Sequence, residues 1–169
     1  MISLSYLPLH SEKIWLSLAT KDRLPSWFAR LSDKNRYIVS TVKLVSVNDK
    51  YLIQLDIQGE IIWVSTPELA ILEVLEAVPS QLSFEHAAEL FQGLVNLSPR
   101  RLQSLLERYK SVKAKRLFLF LARYYNHAWL KRLSEDHIDF GAGKRQIVKG
   151  GRFDTRYQIT VPENFSLEQ

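Results

Sequence analysis

The residues best suited to bind a ligand are basic and lie in the second half of the chain. Lysine and arginine neutralise phosphate charge and release counterions from nucleic acid. Interleaved aromatic side chains could stack on unpaired bases, although their spacing favours packing in a core. The predicted binding set for nucleic acid or a protein partner is Lys113, Arg116, Arg123, Lys144, Arg145, Lys149 and Arg152.

The charge of the chain changes sign along its length. The 169 residues carry a net charge of +5. Residues 1–99 contain 8 basic and 11 acidic side chains, whereas residues 100–156 contain 15 and 5, a local balance of +10. An excess of this size favours an acidic partner, whether nucleic acid, an acidic protein surface or a phosphorylated ligand.

The segment GAGKR, residues 141–145, has some features of a phosphate-binding loop, because glycines let an anion approach the backbone and lysine supplies charge. A Walker-type loop needs a hydroxyl residue after the lysine and a helix after the loop. Here Arg145 takes the place of the hydroxyl residue, and strand-like sequence follows. An ordinary turn with surface charge is the favoured interpretation.

Catalytic chemistry has little support in the sequence. Asp136, His137 and Asp139 are close together, but neighbours on an extended segment point to opposite faces, so capping is the better explanation. The chain has no cysteine, and its four histidines lack the spacing of metal ligands. We predict no catalytic residue, no metal and no cofactor, and we do not expect an enzyme.

The pattern of elements predicts a single α+β domain over residues 1–169. Residues 1–64 are expected to be mostly β, because the β-branched and alternating segments 36–47, 51–57 and 60–65 are typical of a small antiparallel meander. Residues 65–133 are expected to be helical. Residues 138–162 are expected to form a β-hairpin that turns at Gly150-Gly151, with alternating apolar residues in its second strand.

The helical region contains three start signals, in which a hydroxyl residue precedes the first turn, twice with proline. They lie at Ser65-Thr66-Pro67, Ser83 and Ser98-Pro99, and a fourth helical segment is expected to begin at residue 111. The fourth helix, residues 111–126, is apolar around most of its circumference and is predicted to be the central core helix. Its basic residues at spacings of three and seven, Lys113, Arg116 and Arg123, are predicted to share one exposed stripe.

No apolar run approaches the roughly 20 residues that span a bilayer, and the N-terminus lacks the features of a signal peptide. We therefore expect a soluble cytoplasmic protein without membrane association.

These segments, in this order, resemble the C-terminal region of the AbiEi family, which comprises antitoxins and transcriptional regulators of bacterial type IV toxin–antitoxin systems associated with abortive phage infection. The resemblance is carried by STPELAILEVLEAVP (65–79), SFEHAAELFQGL (83–94), SVKAKRLFLFLARYYNHAWLKRL (111–133) and IDFGAGKRQIVKGGRFDTRYQITVP (138–162). It implies a non-catalytic antitoxin that counters a nucleotidyltransferase-like toxin without forming a stable complex with it.

Three points stay open at this stage. In the family, repression of the operon depends on an N-terminal winged helix-turn-helix. The roughly thirty-five residues before the predicted meander show no signature of that domain. The chain is expected to be either a short member or an excised domain, and operator recognition is not carried over. One alternative is a nucleic-acid-binding transcriptional regulator without an antitoxic role. Another is a nucleotide-binding or nuclease-like enzyme, which carboxylates clustered around a pocket would support.

Overall fold

The computed structural model describes residues 2–5, 14–18, 23–30, 36–41 and 49–167. Within these ranges the chain forms a five-stranded sheet, then four α-helices, then a three-stranded sheet. The α+β class predicted from the sequence is confirmed.

The first sheet is mixed. Its strands are β1 (Ile2–Ser5), β2 (Ile14–Leu18), β3 (Tyr37–Thr41), β4 (Leu52–Ile57) and β5 (Glu60–Ser65), in the order β3-β2-β1-β5-β4. Strands β4 and β5 form an antiparallel hairpin. The turn residues Gln58 and Gly59 have φ angles of 56° and 88°, which are typical of the tight turns that match strand twist.

The predicted three-stranded antiparallel meander is wrong in its first strand. Strand β3 does not pair with β4, but lies at the opposite edge of the sheet, parallel to β2. The centre of the sheet is instead supplied by β1 and β2, from a region in which the sequence analysis recognised no strands. The available signal was the alternation of Ile14, Leu16 and Leu18 with polar or aromatic neighbours. Residues 42–47 of the predicted first strand lie outside the described residues.

The four helices are α1 (Pro67–Ala77), α2 (Phe84–Gln92), α3 (Pro99–Arg108) and α4 (Val112–Tyr124). The hydroxyls of Ser83, Ser98 and Ser111 each accept a hydrogen bond from the backbone N–H three residues later. Pro67 begins α1, although the Thr66 hydroxyl makes no capping bond. All four predicted helix starts are therefore confirmed.

Helix α4 is the centre of the core. Every residue from Ala114 to Ala122 is buried, and the helix packs against α1, α2 and the C-terminal strand β8 (Ile159–Val161). The prediction of a central core helix is confirmed. Because α4 is enclosed on several sides, any charged residue in its middle must find a partner inside the protein.

The second sheet consists of β6 (Arg145–Gln146), β7 (Arg152–Asp154) and β8, in the order β6-β8-β7. The predicted C-terminal hairpin exists, but it is formed by β7 and β8 and turns at residues 155–158. Gly150 and Gly151 connect β6 to β7, and β8 lies between those two strands. The predicted alternation in the last strand is confirmed, since Tyr157, Ile159 and Val161 are buried.

Gly151 provides a test of this arrangement. Gly150 and Gly151 both have positive φ angles, 71° and 86°. A Cβ atom added to Gly150 would meet no atom within 4 Å. A Cβ atom added to Gly151 would lie 2.3 Å from the Val161 carbonyl oxygen. We expect Gly150→Ala to lower the free energy of unfolding by about 1–2 kcal/mol, and Gly151→Ala to lower it by about 3 kcal/mol or more. Urea denaturation measures both. Equal losses would contradict the close approach of Gly151 to β8.

His127 provides a test of the helical core. Its Nε2 lies 3.1 Å from the Phe91 carbonyl oxygen, and its ring stacks on Trp129 with centroids 4.9 Å apart. Burial lowers the pKa of His127 from its ordinary value of 6.5, and the hydrogen bond to Phe91 opposes that shift only in part. Below about pH 6.5 the unfolded chain therefore binds more protons than the folded one, and the free energy of unfolding falls as the pH is lowered.

We expect thermal denaturation to show a lower Tm at pH 5.5 than at pH 7.5, and a smaller pH-dependent decrease in His127→Gln, whose amide can still donate to Phe91. The exposed His137 serves as the control, and His137→Gln should retain the decrease of the wild type. An unchanged decrease in His127→Gln would show that other groups dominate the pH dependence.

Candidate nucleic-acid interface

Arg116 lies at the centre of the C-terminal region. It is only 3% exposed, and its guanidinium group donates hydrogen bonds to four backbone carbonyls. Nε donates to Phe140 at 3.0 Å, Nη2 to Gly141 at 3.1 Å, and Nη1 to Gly143 and Gln158 at 2.6 and 3.3 Å. Burial lowers the pKa of Arg116, and the nearby Arg145 lowers it further. Arginine remains charged in proteins, so the four carbonyl dipoles compensate a full positive charge.

This geometry explains the GAGKR segment. Gly141 and Gly143 have positive φ angles of 58° and 77°, which turn their carbonyls toward Arg116. A phosphate-binding loop would instead direct its N–H groups at a common point. The Gly141 N–H is already bound to the Asp139 carboxylate at 2.7 Å. The loop therefore holds a cation of the protein itself, in agreement with the interpretation as a turn.

Lys113 is engaged with the end of another helix. Its Nζ donates to the Glu76 and Val78 carbonyls at 2.5 and 2.6 Å. These are carbonyls at the C-terminal end of α1, which lack partners within the helix and lie at its negative pole. Burial lowers the pKa of Lys113, and the charge of Glu76 partly opposes this.

Arg123 belongs to a network that fixes the turn before β8. Its guanidinium contacts Glu135 at 2.9 Å and donates to the Tyr157 hydroxyl at 3.2 Å. Arg156 contacts the second oxygen of Glu135 at 3.3 Å. The hydrogen bond with Tyr157, with a smaller contribution from Glu135, raises the pKa of Arg123. Burial raises the pKa of Tyr157, so its phenol stays protonated and donates to Glu135.

Four basic residues remain on the second sheet and form what we call the C-terminal basic surface: Lys144, Arg145, Lys149 and Arg152. Arg145 is half-buried and the other three are exposed. None of the four forms an ion pair with a described residue. The Lys144 ammonium lies 5.0 Å from the centroid of the exposed Phe153 ring, within the range of a cation–π contact. Unpaired cations beside an exposed aromatic ring suit a ligand with phosphates and bases.

A cleft also opens on this region, between β7 and the residues that follow β8. It has a volume of about 280 Å³. Arg123, Arg152 and Arg156 line it, together with Phe120 and Phe165. We call it the arginine cleft. Of the predicted binding set, it brings together Arg123 and Arg152.

The predicted exposed stripe on α4 is therefore wrong. Arg116 is buried, Lys113 is bonded to the end of α1, and Arg123 lines the arginine cleft. The reason is physical: α4 is enclosed, so Lys113 and Arg116 are compensated by backbone carbonyls and Arg123 by Glu135. Of the interleaved aromatic residues, Trp129 and Tyr157 are buried, as core packing requires. The sequence analysis did not recognise Glu135 as the partner of Arg123 and Arg156, and only its position among basic residues could have suggested it.

Most of the chain matches a known protein family. Residues 11–162 match the model of a family described as AbiEi_3, transcriptional regulator, AbiEi antitoxin, type IV TA system. The chain belongs to this AbiEi family. The resemblance found in the sequence is thereby confirmed. No curated protein matches the chain significantly.

The fold of this AbiEi-family chain is similar to that in the crystal structure of the RV2827C protein from Mycobacterium tuberculosis, with a TM-score of 0.57 and 16% sequence identity. The match covers 87% of this chain and 54% of that one. The similarity at this identity concerns the fold alone. This chain spans about half the length of that protein.

A second cavity bears on the enzymatic alternative. It has a volume of about 240 Å³, and Glu73, Glu76, Tyr109 and Ser40 help to line it. Glu73 accepts a hydrogen bond from the Ser65 hydroxyl at 2.9 Å. Burial, and then the two carboxylates, raise the pKa of Tyr109 well above its usual range, so it stays a neutral phenol. In the part of the chain that the structure describes, no third His, Cys, Asp or Glu joins the pair to form a metal-binding group.

Among the described residues, no helix has the length and apolarity to cross a bilayer.

Replacing Arg116 tests its role as an anchor. We expect Arg116→Lys to lower the free energy of unfolding by about 3 kcal/mol, because an ammonium cannot reach four carbonyls that surround a planar guanidinium, and buried carbonyls are left unpaired. Lys149→Gln, on the exposed surface, should change it by less than about 0.5 kcal/mol. Chemical denaturation measures both. A stable Arg116→Lys protein would show that the loop holds its shape without the guanidinium.

Proposed function

We propose that this chain is a non-catalytic antitoxin domain of a bacterial type IV toxin–antitoxin system, acting in the cytoplasm against a nucleotidyltransferase-like toxin through its C-terminal basic surface. Membership of the AbiEi family supports the antitoxin class. The observation that carries the finer proposal is the group of four cations on the second sheet without ion-pair partners among the described residues.

The distribution of charge supports nucleic acid as the target of that surface. Arg116 fixes the loop that carries Lys144 and Arg145, so these side chains start from a defined backbone. Preorganised cations lose less entropy when they bind a polyanion. Phe153 is 36% exposed beside Lys144 and offers a face for an unpaired base. A non-catalytic mechanism follows naturally, because engaging the nucleic acid that the toxin modifies requires binding and no reaction.

A transcriptional regulator without an antitoxic role is the second candidate, because the family description also includes regulators. A basic surface would serve DNA equally well, since phosphate contacts carry no sequence information. The two candidates differ in their dependence on the toxin.

The decisive experiment is growth rescue by the full chain, co-expressed with the nucleotidyltransferase-like toxin encoded beside it. We expect the wild type to restore growth and Lys144→Glu/Lys149→Glu to fail, because two reversed charges repel phosphate. The matched control, Arg100→Glu/Lys110→Glu, makes the same charge change at two exposed positions outside the second sheet and should still rescue.

Denaturation curves of the purified variants establish that all three proteins are folded. Rescue by the folded Lys144→Glu/Lys149→Glu protein would contradict the basic surface. A folded and abundant wild-type chain that fails to rescue would contradict the antitoxic role and favour the regulator.

A further inference from the structure

The arginine cleft combines a polar rim with an apolar floor. The apolar residues that line it, which we call its floor, are the buried Phe120, Val161 and Phe165 and the more exposed Phe153 and Leu167. The polar lining consists of the three arginines with Asp154, Thr155 and Ser166. Its volume of about 280 Å³ lies at the lower end of the range for small-ligand pockets. A ligand of matching chemistry has one flat apolar part and one anionic part.

The three arginines differ in how fully their charge is compensated. Arg123 and Arg156 share the two oxygens of Glu135. Arg152 is exposed and forms no ion pair with a described residue. The acidic residue in the lining, Asp154, accepts the Tyr157 backbone N–H at 2.7 Å and so belongs to the turn. Three arginines against the carboxylates of Glu135 and Asp154 leave the cleft with a net positive charge, and Arg152 is the arginine of the three that contacts no carboxylate among the described residues.

The strand β7 places Arg152 correctly for this purpose. Arg152 pairs with Val161 in the register of the sheet, and paired residues lie on the same face. Since Val161 is buried against the core, Arg152 is directed to the cleft side, and Phe153, which also lines the cleft, lies next to Lys144. β7 is also an edge strand of its sheet. A ligand that passes over this edge can therefore contact side chains on both faces of β7.

The cleft continues into a more open groove. This groove shares Arg123, Ser166 and Leu167 with the cleft, includes Tyr124, and has a volume of about 560 Å³. A ligand in the cleft can thus extend past Arg123 and need not end there.

We propose that the arginine cleft binds one unpaired nucleotide of a single-stranded nucleic acid, with its phosphate at Arg152 and its base on the apolar floor. Arginine binds phosphate through two parallel hydrogen bonds, and a base can enter such a cleft only when it is not paired in a duplex. The groove beyond Arg123 takes the neighbouring nucleotide. The biological role of this site rests on the proposed function, but the binding itself does not.

The test is fluorescence anisotropy with a labelled short single-stranded RNA and a DNA of the same sequence, using the full chain and no toxin. We expect Arg152→Glu and Ser166→Trp each to weaken binding about tenfold or more, because the first removes the phosphate contact and the second fills the space of the base. Ser166→Trp leaves the charge unchanged, so it separates the cleft from general electrostatics. Arg100→Glu, the matched control outside the cleft, should stay within about twofold of the wild type.

Three results would overturn the site. One is wild-type binding by both folded cleft variants. Another is equal affinity for a duplex of the same length. The third is a nucleoside monophosphate that competes as tightly as the strand, which would identify a free nucleotide as the ligand instead. Preference for RNA or for DNA identifies which strand is bound.

The two proposals fail separately. If the wild-type chain binds single strands through the cleft but does not rescue growth, only the proposed function is overturned. If the cleft variants lose binding and still rescue growth, the site stands as a single-strand site and the antitoxic role lies on the members of the C-terminal basic surface outside the cleft, Lys144, Arg145 and Lys149.

Discussion

The C-terminal half of this protein is organised around the buried guanidinium of Arg116. None of the described residues places a carboxylate within hydrogen-bond distance of it, so its charge is balanced by carbonyl dipoles from two separate loops. Such a group is stable only if all of its donors are satisfied. The loop at 140–143 and the turn at 155–158 must therefore meet at Arg116. That meeting fixes where β6, β7 and β8 leave the helical body, and hence where Lys144 and Arg152 project.

The same constraint divides the basic residues into two groups. On α4, Lys113 and Arg116 are held by backbone carbonyls, and Arg123 by Glu135 and Tyr157. Their contribution is structural, since removing Lys113 or Arg116 leaves backbone carbonyls without these donors, and removing Arg123 takes from Glu135 one of its two arginines. The cations of the C-terminal basic surface form no ion pair with a described residue and are available for a ligand. Arg123 and Arg156 belong to both groups, because each contacts Glu135 and also lines the arginine cleft.

The sequence allowed the helices to be predicted, because a helix start is a local feature. Ser83, Ser98 and Ser111 each accept from an N–H three residues away, so the signal and its effect lie within one turn. Strand pairing is not local in this way. Tyr37–Thr41 has a clear strand composition, but its partner lies earlier in the chain, and composition does not encode a partner. For the same reason the hairpin was predicted, while its turn was assigned to the glycines instead of to residues 155–158.

The candidate site was predictable in its chemistry and only partly in its geometry. The basic excess pointed to the half of the chain in which the proposed site lies, but periodicity placed the buried Arg116 on an exposed stripe. Periodicity describes where a side chain leaves a helix, not what lies opposite it. The information that α4 is apolar on nearly all sides already excluded an exposed stripe along its middle. Combined with two glycines whose carbonyls can turn inward at Gly141 and Gly143, that exclusion points to a buried arginine as the anchor.

The fold brings acidic residues of the first half of the chain next to basic residues of the second half. Residues 51–99 contain seven acidic side chains and no basic one, and some of them compensate the basic half directly. Glu68 is buried and contacts Arg101 at 3.1 Å, and Glu76 lies near Lys113. The local excess of +10 in residues 100–156 therefore overstates the field that a ligand experiences near α1 and α3. Near β7, among the described residues, Glu135 is already engaged by Arg123 and Arg156, and Asp154 accepts the Tyr157 N–H. The cations of this region therefore keep an excess of positive charge, and the edge strand β7, with arginine on one face and an aromatic ring on the other, is accessible to a flexible polyanion.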